Sequence, residues 1–335
     1  MQDLAGLKKI LSIPKDIVIT SHRNPDGDAV GSTLALSHYL RAHGHTTYVM
    51  TPSEYPDFLE WMPGAGEILV HDIEPEDCDE KIKRADVIFC LDYNALDRID
   101  KMGETIASTD CTRVMIDHHL YPDEFCDHMM SDISASSTCE MVFDFIEMCG
   151  DKNMIDKTIA EAMYTGILTD TGSFKYATSP KLFRIVAQLK EMGVDDDKLQ
   201  DLIFNALSEK SLRILGHCLA NRMEILPEYK TGIIWLTKED YEMYDIKRGE
   251  TEGIVNYLLK IKGVKVAAFI HEQPKITKMS LRSKGDFSVQ EIATKYFKGG
   301  GHKNASGGAS FIGLGGTIRK FKNLLPEYKE QLDAL

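Results

Sequence analysis

The sequence predicts an α/β protein: a mostly parallel N-terminal sheet flanked by helices, a smaller C-terminal α/β domain, and a cleft between them. In the first half, short apolar runs typical of buried strands alternate with longer segments of helical periodicity. Three of these runs, 17–20, 87–91 and 114–116, are followed closely by histidine or aspartate. Because ligands of open α/β sheets bind at the carboxyl ends of the strands, these polar residues predict one shared site.

The elements of the first half follow from their apolar patterns. The run Ile17-Val18-Ile19 predicts a strand, and Val30, Leu34 and Leu40 form one face of a helix. Gly44, just beyond that helix, marks its end. The predicted strands are 17–20, 46–50, 87–91 and 114–116, and the predicted helices are 29–42, 140–148 and 155–168.

The second half changes from helical to strand patterns. Two consecutive helices, 181–192 and 199–222, are predicted around Gly193, and strands 231–236, 264–271 and 276–283 follow. Ser288 and Glu291 have the spacing of a capping box and open a helix to about Phe297. The predicted organisation is a catalytic domain at 1–185, a helical linker at 186–222 and a substrate-binding domain at 223–335.

Composition restricts the class of protein. With 43% hydrophobic and 27% charged residues, the chain is typical of globular proteins. No apolar stretch approaches the ~20 residues of a membrane span, and no signal-peptide pattern opens the sequence. Seven cysteines without a C-x-x-C pair favour a reduced, cytoplasmic protein. The net charge of −13 argues against long duplex nucleic acid as a partner, but a small phosphorylated ligand remains compatible with it.

Four acidic and histidine motifs predict a metal site. The segment His22-x-Asn24-Pro25-Asp26-x-Asp28 offers three ligands in what the sequence predicts to be a loop. Asp92, Asp117-His118-His119 and Asp170 each follow or end a predicted element. Mixed histidine and carboxylate ligands favour a divalent ion such as Mn²⁺ over thiolate-bound zinc. Taken singly, each motif has a structural alternative as a turn former, a surface histidine or a helix cap, whereas all four together favour metal binding.

In order and spacing, these motifs resemble those of the DHH phosphoesterases. The sequence Gly300-Gly301-His302 resembles the glycine-rich motif of the DHH-associated domain, so the resemblance covers about residues 20 to 310. It implies two Mn²⁺ ions bridged by Asp92, with Mg²⁺ or Co²⁺ as substitutes. One ion would be held by His22, Asp26 and Asp92, and the other by Asp28, Asp92, His118 and Asp170.

The resemblance also implies roles for residues outside the ligand set. His119 would contact the substrate phosphate as a catalytic residue, and Asp117 would orient a histidine. In the C-terminal domain, glycines allow backbone amides to approach a phosphate, and residues 303–309 are expected to open a helix whose amino end favours anions. The implied substrate contacts are Arg282, Gly300, Gly301, His302 and His119.

The size and domain content resemble the compact bacterial members that act as oligoribonucleases and pAp (3′-phosphoadenosine 5′-phosphate) phosphatases. The expected activity is hydrolysis of short oligoribonucleotides, including pApA and pGpG, to mononucleotides and of pAp to AMP, through two-metal activation of a bridging water. The alternatives are an exopolyphosphatase or pyrophosphatase, and a non-catalytic nucleotide-binding protein. The expected partners are short single-stranded RNA or DNA and small nucleotides, without a membrane, and a homodimer is the alternative to a monomer.

Overall fold

The computed structural model describes residues 1–335 except Gln2, Ala206 and Arg248. The chain forms two compact units, Met1–Ala206 and Leu207–Leu335, called here the N-terminal and C-terminal units. The division between the two units falls inside the segment 186–222, for which the sequence predicts a helical linker. Among the described residues, no helix combines the length and the apolar character that crossing a bilayer requires.

The N-terminal unit alternates strands and helices along the chain. Its strands are β1 (Asp16–Thr20), β2 (Thr46–Thr51), β3 (Leu69–Val70), β4 (Val87–Leu91), β5 (Thr112–Asp117) and β6 (His128–Ser131). Its helices are α1 (Leu4–Ile10), α2 (Gly27–Ala42), α3 (Pro75–Arg84), α4 (Asp100–Ala107), α5 (Thr138–Cys149), α6 (Lys157–Asp170), α7 (Pro180–Glu191) and α8 (Asp196–Phe204).

The six strands form one all-parallel sheet in the order β3-β2-β1-β4-β5-β6. This confirms the predicted fold class. Strand β4 is buried along its whole length, as expected for a parallel strand covered on both faces. Because β1, β4 and β5 are neighbours, their carboxyl ends, and the polar residues that follow them, lie side by side.

Helix α2 begins earlier than the sequence predicted, and this changes the placement of two candidate ligands. Asp26 is the N-cap residue, and its side chain accepts hydrogen bonds from the backbone N–H groups of Asp28 and Ala29. Asp28 therefore lies in the first helical turn, not in a loop. The prediction of a loop was wrong because the Asp26 cap stabilises a helix that starts at Gly27.

Close packing of helices brings Asp28 against α5 and α6. A Cβ atom at Gly31 would lie 2.5 Å from the carbonyl oxygen of Ala162, and one at Gly166 would lie 2.7 Å from Oδ1 of Asp28. Both glycines are thus required for α2 to approach α6. This contact fixes the position of Asp28 relative to the carboxyl end of α6.

The C-terminal unit contains a second six-stranded sheet in the order β11-β12-β10-β9-β8-β7, in which only β8 and β9 pair in parallel. Its strands are β7 (Met223–Leu226), β8 (Thr231–Leu236), β9 (Val266–Glu272), β10 (Thr277–Ser283), β11 (Gly300–His302) and β12 (Ala305–Ser310). Its helices are α9 (Glu209–Asn221), α10 (Lys238–Tyr244), α11 (Ile254–Leu258), α12 (Val289–Tyr296), α13 (Gly313–Leu324) and α14 (Lys329–Asp333).

Two predictions for this part of the chain were wrong. The single helix expected at 199–222 is two helices, α8 and α9, and Ser208 caps the second. The helix expected at 303–309 is instead strand β12, which pairs with both β10 and β11. Its sequence, Ala-Ser-Gly-Gly-Ala-Ser, has low helix propensity, and its small residues allow the neighbouring strands to approach closely.

A buried carboxylate ties α9 to α10 in the C-terminal unit. Asp240 is 1% exposed and accepts hydrogen bonds from Arg222, from His217 and from the backbone N–H of Thr237. Burial by itself raises the pKa of Asp240, but these donors outweigh burial and lower the pKa from 3.8 to about 2. Because the native pKa is the lower one, this carboxylate contributes about 2 kcal/mol of stability at neutral pH.

We expect the C-terminal unit to lose about 1 kcal/mol of this contribution between pH 6 and pH 3, since the unfolded carboxyl group takes up a proton first. Urea unfolding, followed by Trp235 fluorescence in a Trp61→Phe background, measures the loss. Asp240→Asn should remove this component, whereas Asp245→Asn, at an exposed acid, should retain it. An equal pH dependence in all three proteins would contradict the assignment.

Candidate metal centre

The carboxyl ends of β1, β4 and β5 place histidines and aspartates together. Chain segments leaving these strands carry His22, Asp92 and the triplet Asp117-His118-His119. Asp92 leaves β4 with a left-handed backbone (φ 62°), a conformation that aspartate tolerates better than most residues. Its N–H donates to the carbonyl of Ile116, which ties the end of β4 to β5.

Asp92 is the common member of the cluster. Its Oδ2 lies 3.3 Å from Nε2 of His22, and its Oδ1 lies 3.5 Å from Nε2 of His118. The two carboxylate oxygens therefore face different histidines. Asp92 belongs to three groups whose candidate donor atoms lie within 4.8 Å of one another: His22, Asp26 and Asp92; Asp28, Asp92 and His118; Asp92, Asp117 and His119.

Two further carboxylates face His118 from neighbouring helices. Nε2 of His118 lies 3.2 Å from Asp170, the last residue of α6, and 3.9 Å from Asp28 in α2. Asp28 is fully buried, and the side chain of Asp170 is 20% exposed. The structure thus brings together all the residues that the sequence singled out in the N-terminal unit.

Backbone and side-chain acceptors orient the three histidines. The Nδ1 atoms of His22 and His118 lie 2.9 and 3.3 Å from the carbonyl oxygens of Arg23 and Ala135, which places each Nε2 among the carboxylates. His119 differs, because its Nδ1 lies 2.8 Å from Oδ1 of Asp117. A proton on Nδ1 donated to each of these oxygens leaves Nε2 as the ligand or substrate-facing atom.

The N-terminus of α5 holds two of the carboxylates, a contribution that the sequence analysis missed. The backbone N–H groups of Thr138 and Cys139 donate to the two oxygens of Asp28 at 2.6 and 2.9 Å. The Thr138 hydroxyl donates to Oδ1 of Asp92 at 3.0 Å. Ser137, the N-cap residue, precedes an apolar helical run, and this capping signal could have placed the helix start two residues before the predicted Glu140.

Arg23 anchors the loop between β1 and α2 from outside the cluster. Its guanidinium pairs with Asp72 at 2.8 Å and with Asp100 at 2.6 Å, and its N–H donates to the carbonyl of Arg98. The next residue, Asn24, has a left-handed backbone (φ 55°), and its N–H donates to the Ser53 hydroxyl. These contacts fix the loop that carries His22 and Asp26.

The electrostatics of the cluster fit a divalent cation. Burial and the nearby Asp92 raise the pKa of Asp28 to about 7, and burial with Asp28 raises the pKa of Asp170. Although burial lowers the pKa of His22, Asp92 and Asp26 raise it to about 9. The buried carboxylates thus repel one another unless positive charge is present. Divalent ions supply such charge, and mixed imidazole and carboxylate donors suit them.

The candidate residues of the C-terminal unit lie in β10 and β11. Arg282 in β10 and His302 in β11 both pair with Ala305 of β12, so their side chains extend from the same face of the sheet. At Gly301, with φ 133°, a Cβ atom would lie 2.7 Å from the carbonyl oxygen of Ala305, whereas one at Gly300 would meet no atom within 4 Å. Gly301 is therefore needed for the strand pairing, and Gly300 leaves open space beside it.

Comparison with known proteins identifies the family. The model of the DHH family N-terminal domain matches residues 16–167, and that of the DHHA1 domain matches residues 240–330. The bifunctional oligoribonuclease and PAP phosphatase NrnA of Thermus thermophilus is 30% identical over 318 residues, which cover 94% of this chain and 90% of that protein. The chain belongs to the DHH family. It is accordingly a hydrolase of the DHH phosphoesterase type, as the resemblance implied.

Two other similar proteins extend the comparison. The Bacillus subtilis NrnA, which has the same description, is 28% identical, with 91% of this chain and 92% of that protein covered. The crystal structure of an exopolyphosphatase-related protein from Bacteroides fragilis is 41% identical and superposes with a TM-score of 0.94, covering 98% of this chain and 97% of the other. The likeness therefore extends over both units of the chain.

We expect Mn²⁺ to bind the N-terminal unit with release of protons, because the ligands must lose them first. At pH 7 the raised pKa values keep protons on His22 and on part of Asp28, so affinity should increase from pH 6 to pH 9. Calorimetry in buffers of different ionisation enthalpy should detect the protons that are released. We expect roughly one proton or more for each Mn²⁺ ion bound.

Asp92→Asn is the test variant for this titration, and Asp110→Asn is its matched control. Asparagine tolerates the left-handed backbone of Asp92 but removes its charge, so this variant should remain folded and lose most Mn²⁺ binding. Asp110 is exposed and precedes β5, at the opposite end of the strand, and its variant should bind like the original protein. Unchanged binding by Asp92→Asn would refute the shared-ligand arrangement.

Proposed function

We propose that this chain hydrolyses short oligoribonucleotides, including linear dinucleotides, to mononucleotides and pAp to AMP, using two Mn²⁺ ions in the N-terminal unit. Mg²⁺ or Co²⁺ would be substitutes. The observation that carries the proposal is the position of Asp92, whose two oxygens face His22 on one side and His118 on the other. A single carboxylate between two sets of donors is an arrangement that suits two adjacent cations.

The proposed ligands divide around that carboxylate. His22, Asp26 and Asp92 would hold one ion, and Asp28, Asp92, His118 and Asp170 would hold the other. When bound, the ions would supply Lewis-acid activation of water and neutralise charge that develops on the phosphoryl group.

His119 would act on the substrate, and Asp117 would orient His119. Asp117 is fully buried and accepts two hydrogen bonds from His119, one from its backbone N–H and one from Nδ1. The second bond fixes the imidazole ring and leaves Nε2 as the substrate-facing atom. Nε2 of His119 would then contact a phosphoryl oxygen of the substrate, to which it would donate when it carries a proton. In this proposal His119 is a catalytic residue, whereas Asp117 acts by orienting the imidazole ring of His119.

The C-terminal unit would bind the rest of the nucleotide. Arg282 and His302 extend from one face of the sheet, and a guanidinium can bind phosphate through two hydrogen bonds. The open space at Gly300 would let a phosphate approach the backbone at Gly300 and Gly301. The net charge of −13 favours short substrates, since a long phosphate backbone would be repelled.

One observation favours a second candidate function. The Bacteroides fragilis structure that superposes with a TM-score of 0.94 is described as exopolyphosphatase-related. An exopolyphosphatase would use the same N-terminal donors to cleave phosphoanhydrides. Nucleotide hydrolysis is our first choice, because the two NrnA proteins that match more than nine-tenths of the chain are described by their own activities on oligoribonucleotides and PAP. The Bacteroides fragilis protein is described only as related to an exopolyphosphatase.

A panel of substrates separates these two activities. We expect Mn²⁺-dependent release of AMP from pAp, pApA and a five-residue RNA, little phosphate from pyrophosphate or polyphosphate, and no activity in EDTA. Asp92→Asn should lose at least about 100-fold in turnover, since removal of a central charged group costs several kcal/mol of transition-state stabilisation. Cleavage of polyphosphate alone would favour the second function. Metal binding without any hydrolysis would favour a nucleotide-binding protein.

Substitution of Arg282 tests the proposed role of the C-terminal unit. Arg282→Ala should raise KM for pAp and pApA about tenfold or more, since a charge-assisted hydrogen bond is lost, and should leave cleavage of a simple aryl phosphate nearly unchanged. Lys303→Ala, which removes a cation paired with exposed Asp286, serves as the control. Equal losses on both substrates would assign Arg282 to the chemical step or to the fold.

A further inference from the structure

Thr138 donates hydrogen bonds to both Asp28 and Asp92. Its backbone N–H donates to Oδ2 of Asp28 at 2.6 Å, and its hydroxyl donates to Oδ1 of Asp92 at 3.0 Å. Thr138 is fully buried, so water does not compete for either bond. Its contacts join a helix, α5, to two carboxylates that come from α2 and from the end of β4.

The two bonds have different consequences for the two carboxylates. Asp28 also accepts a hydrogen bond from the N–H of Cys139, so both of its oxygens lie against the N-terminus of α5, where the helix dipole favours negative charge. This part of the arrangement depends on the backbone alone. The bond to Asp92 depends on the side chain, and only serine or threonine at position 138 could form it in this geometry.

The hydroxyl of Thr138 controls the rotation of the Asp92 carboxylate. Asp92 directs Oδ2 to His22 and Oδ1 to His118, and rotation about its last side-chain bond would exchange or displace these oxygens. Such a terminal torsion is soft, with broad minima. The hydrogen bond to Oδ1 restrains it and leaves Oδ2 directed to His22. The backbone of Asp92, with φ 62°, does not supply this restraint, because it fixes only where the side chain starts.

We propose that Thr138 is a positioning residue, whose hydroxyl holds the Asp92 carboxylate in the orientation that serves two cations at once. The proposal rests on the metal site of the proposed function and deepens it. Hydrogen bonds to the ligands of a metal commonly change its affinity by about 10- to 100-fold when they are removed. The loss should appear in binding itself, before any substrate is present.

The test compares Mn²⁺ binding by calorimetry in the full-length protein and three variants. Thr138→Val removes the hydroxyl and keeps both backbone donors, whereas Thr138→Ser keeps the hydroxyl. Thr33→Val is the matched control, because Thr33 is also fully buried but donates to carbonyl oxygens of its own helix, α2. We expect Thr138→Val to bind Mn²⁺ at least about tenfold more weakly, and the other two variants to bind like the original protein.

Thermal unfolding in EDTA separates positioning from folding. Thr138→Val and Thr33→Val should melt within a few degrees of each other without metal, and only Thr138→Val should show a reduced Mn²⁺-induced rise in Tm. If Thr138→Val does not fold in EDTA, Thr138→Ala replaces it, because it removes the same hydroxyl without placing a second methyl group beside a carboxylate.

Three results would overturn the inference: unchanged Mn²⁺ affinity in Thr138→Val, equal loss in Thr138→Ser, or equal loss in Thr33→Val. The first would show that Asp92 needs no restraint, and the other two would assign the effect to packing. Failure of the unsubstituted protein to bind Mn²⁺ would instead refute the proposed function, so the two failures are distinguishable.

Discussion

The mutual repulsion of buried carboxylates is the constraint around which the N-terminal unit is organised. Asp28 and Asp92 are almost completely buried, and Asp26 and Asp170 lie beside them. Without positive charge, such a cluster is costly, and the raised pKa values of Asp28 and Asp170 express that cost. The histidines and the N-terminus of α5 each offset part of it, and a bound divalent cation would offset more.

The fold supplies these compensating groups from different directions. Parallel strands deliver the histidines and Asp92 at one edge of the sheet, and the first turn of α2 delivers Asp28. The glycines at 31 and 166 let α2 approach α6 closely, which places Asp28 near the carboxyl end of α6, where Asp170 faces His118. A site of this kind is preorganised by its scaffold, because little side-chain freedom remains to be lost when a ligand binds.

The two units contribute different kinds of residue to the proposed function. Among the described residues, the N-terminal unit contains the histidines and aspartates of three candidate metal-binding groups. The C-terminal unit contains Arg282 and His302 on one face of its sheet beside the glycines of β11, an arrangement that would suit phosphate in the proposed function. Substitutions in the N-terminal unit should thus affect turnover, and substitutions in the C-terminal unit should affect the choice of substrate.

The sequence by itself determined the fold class of the N-terminal unit and the identity of the candidate ligands. Both follow from local signals: apolar runs of strand length, and polar residues directly after them. It also gave the DHH resemblance, because the motifs lie in short contiguous segments. Local signals were weaker in the glycine-rich segment after His302, where low helix propensity and strand pairing, rather than an amino-terminal helix, decide the structure.

Only the tertiary structure decided which groups surround the ligands. Thr138 is separated from Asp28 by 110 residues and from Asp92 by 46, so no periodicity in the sequence connects them. The same holds for Arg23 and its partners Asp72 and Asp100. Hydrogen bonds across such separations arise when helices and strands pack, and packing depends on the whole unit rather than on any one segment.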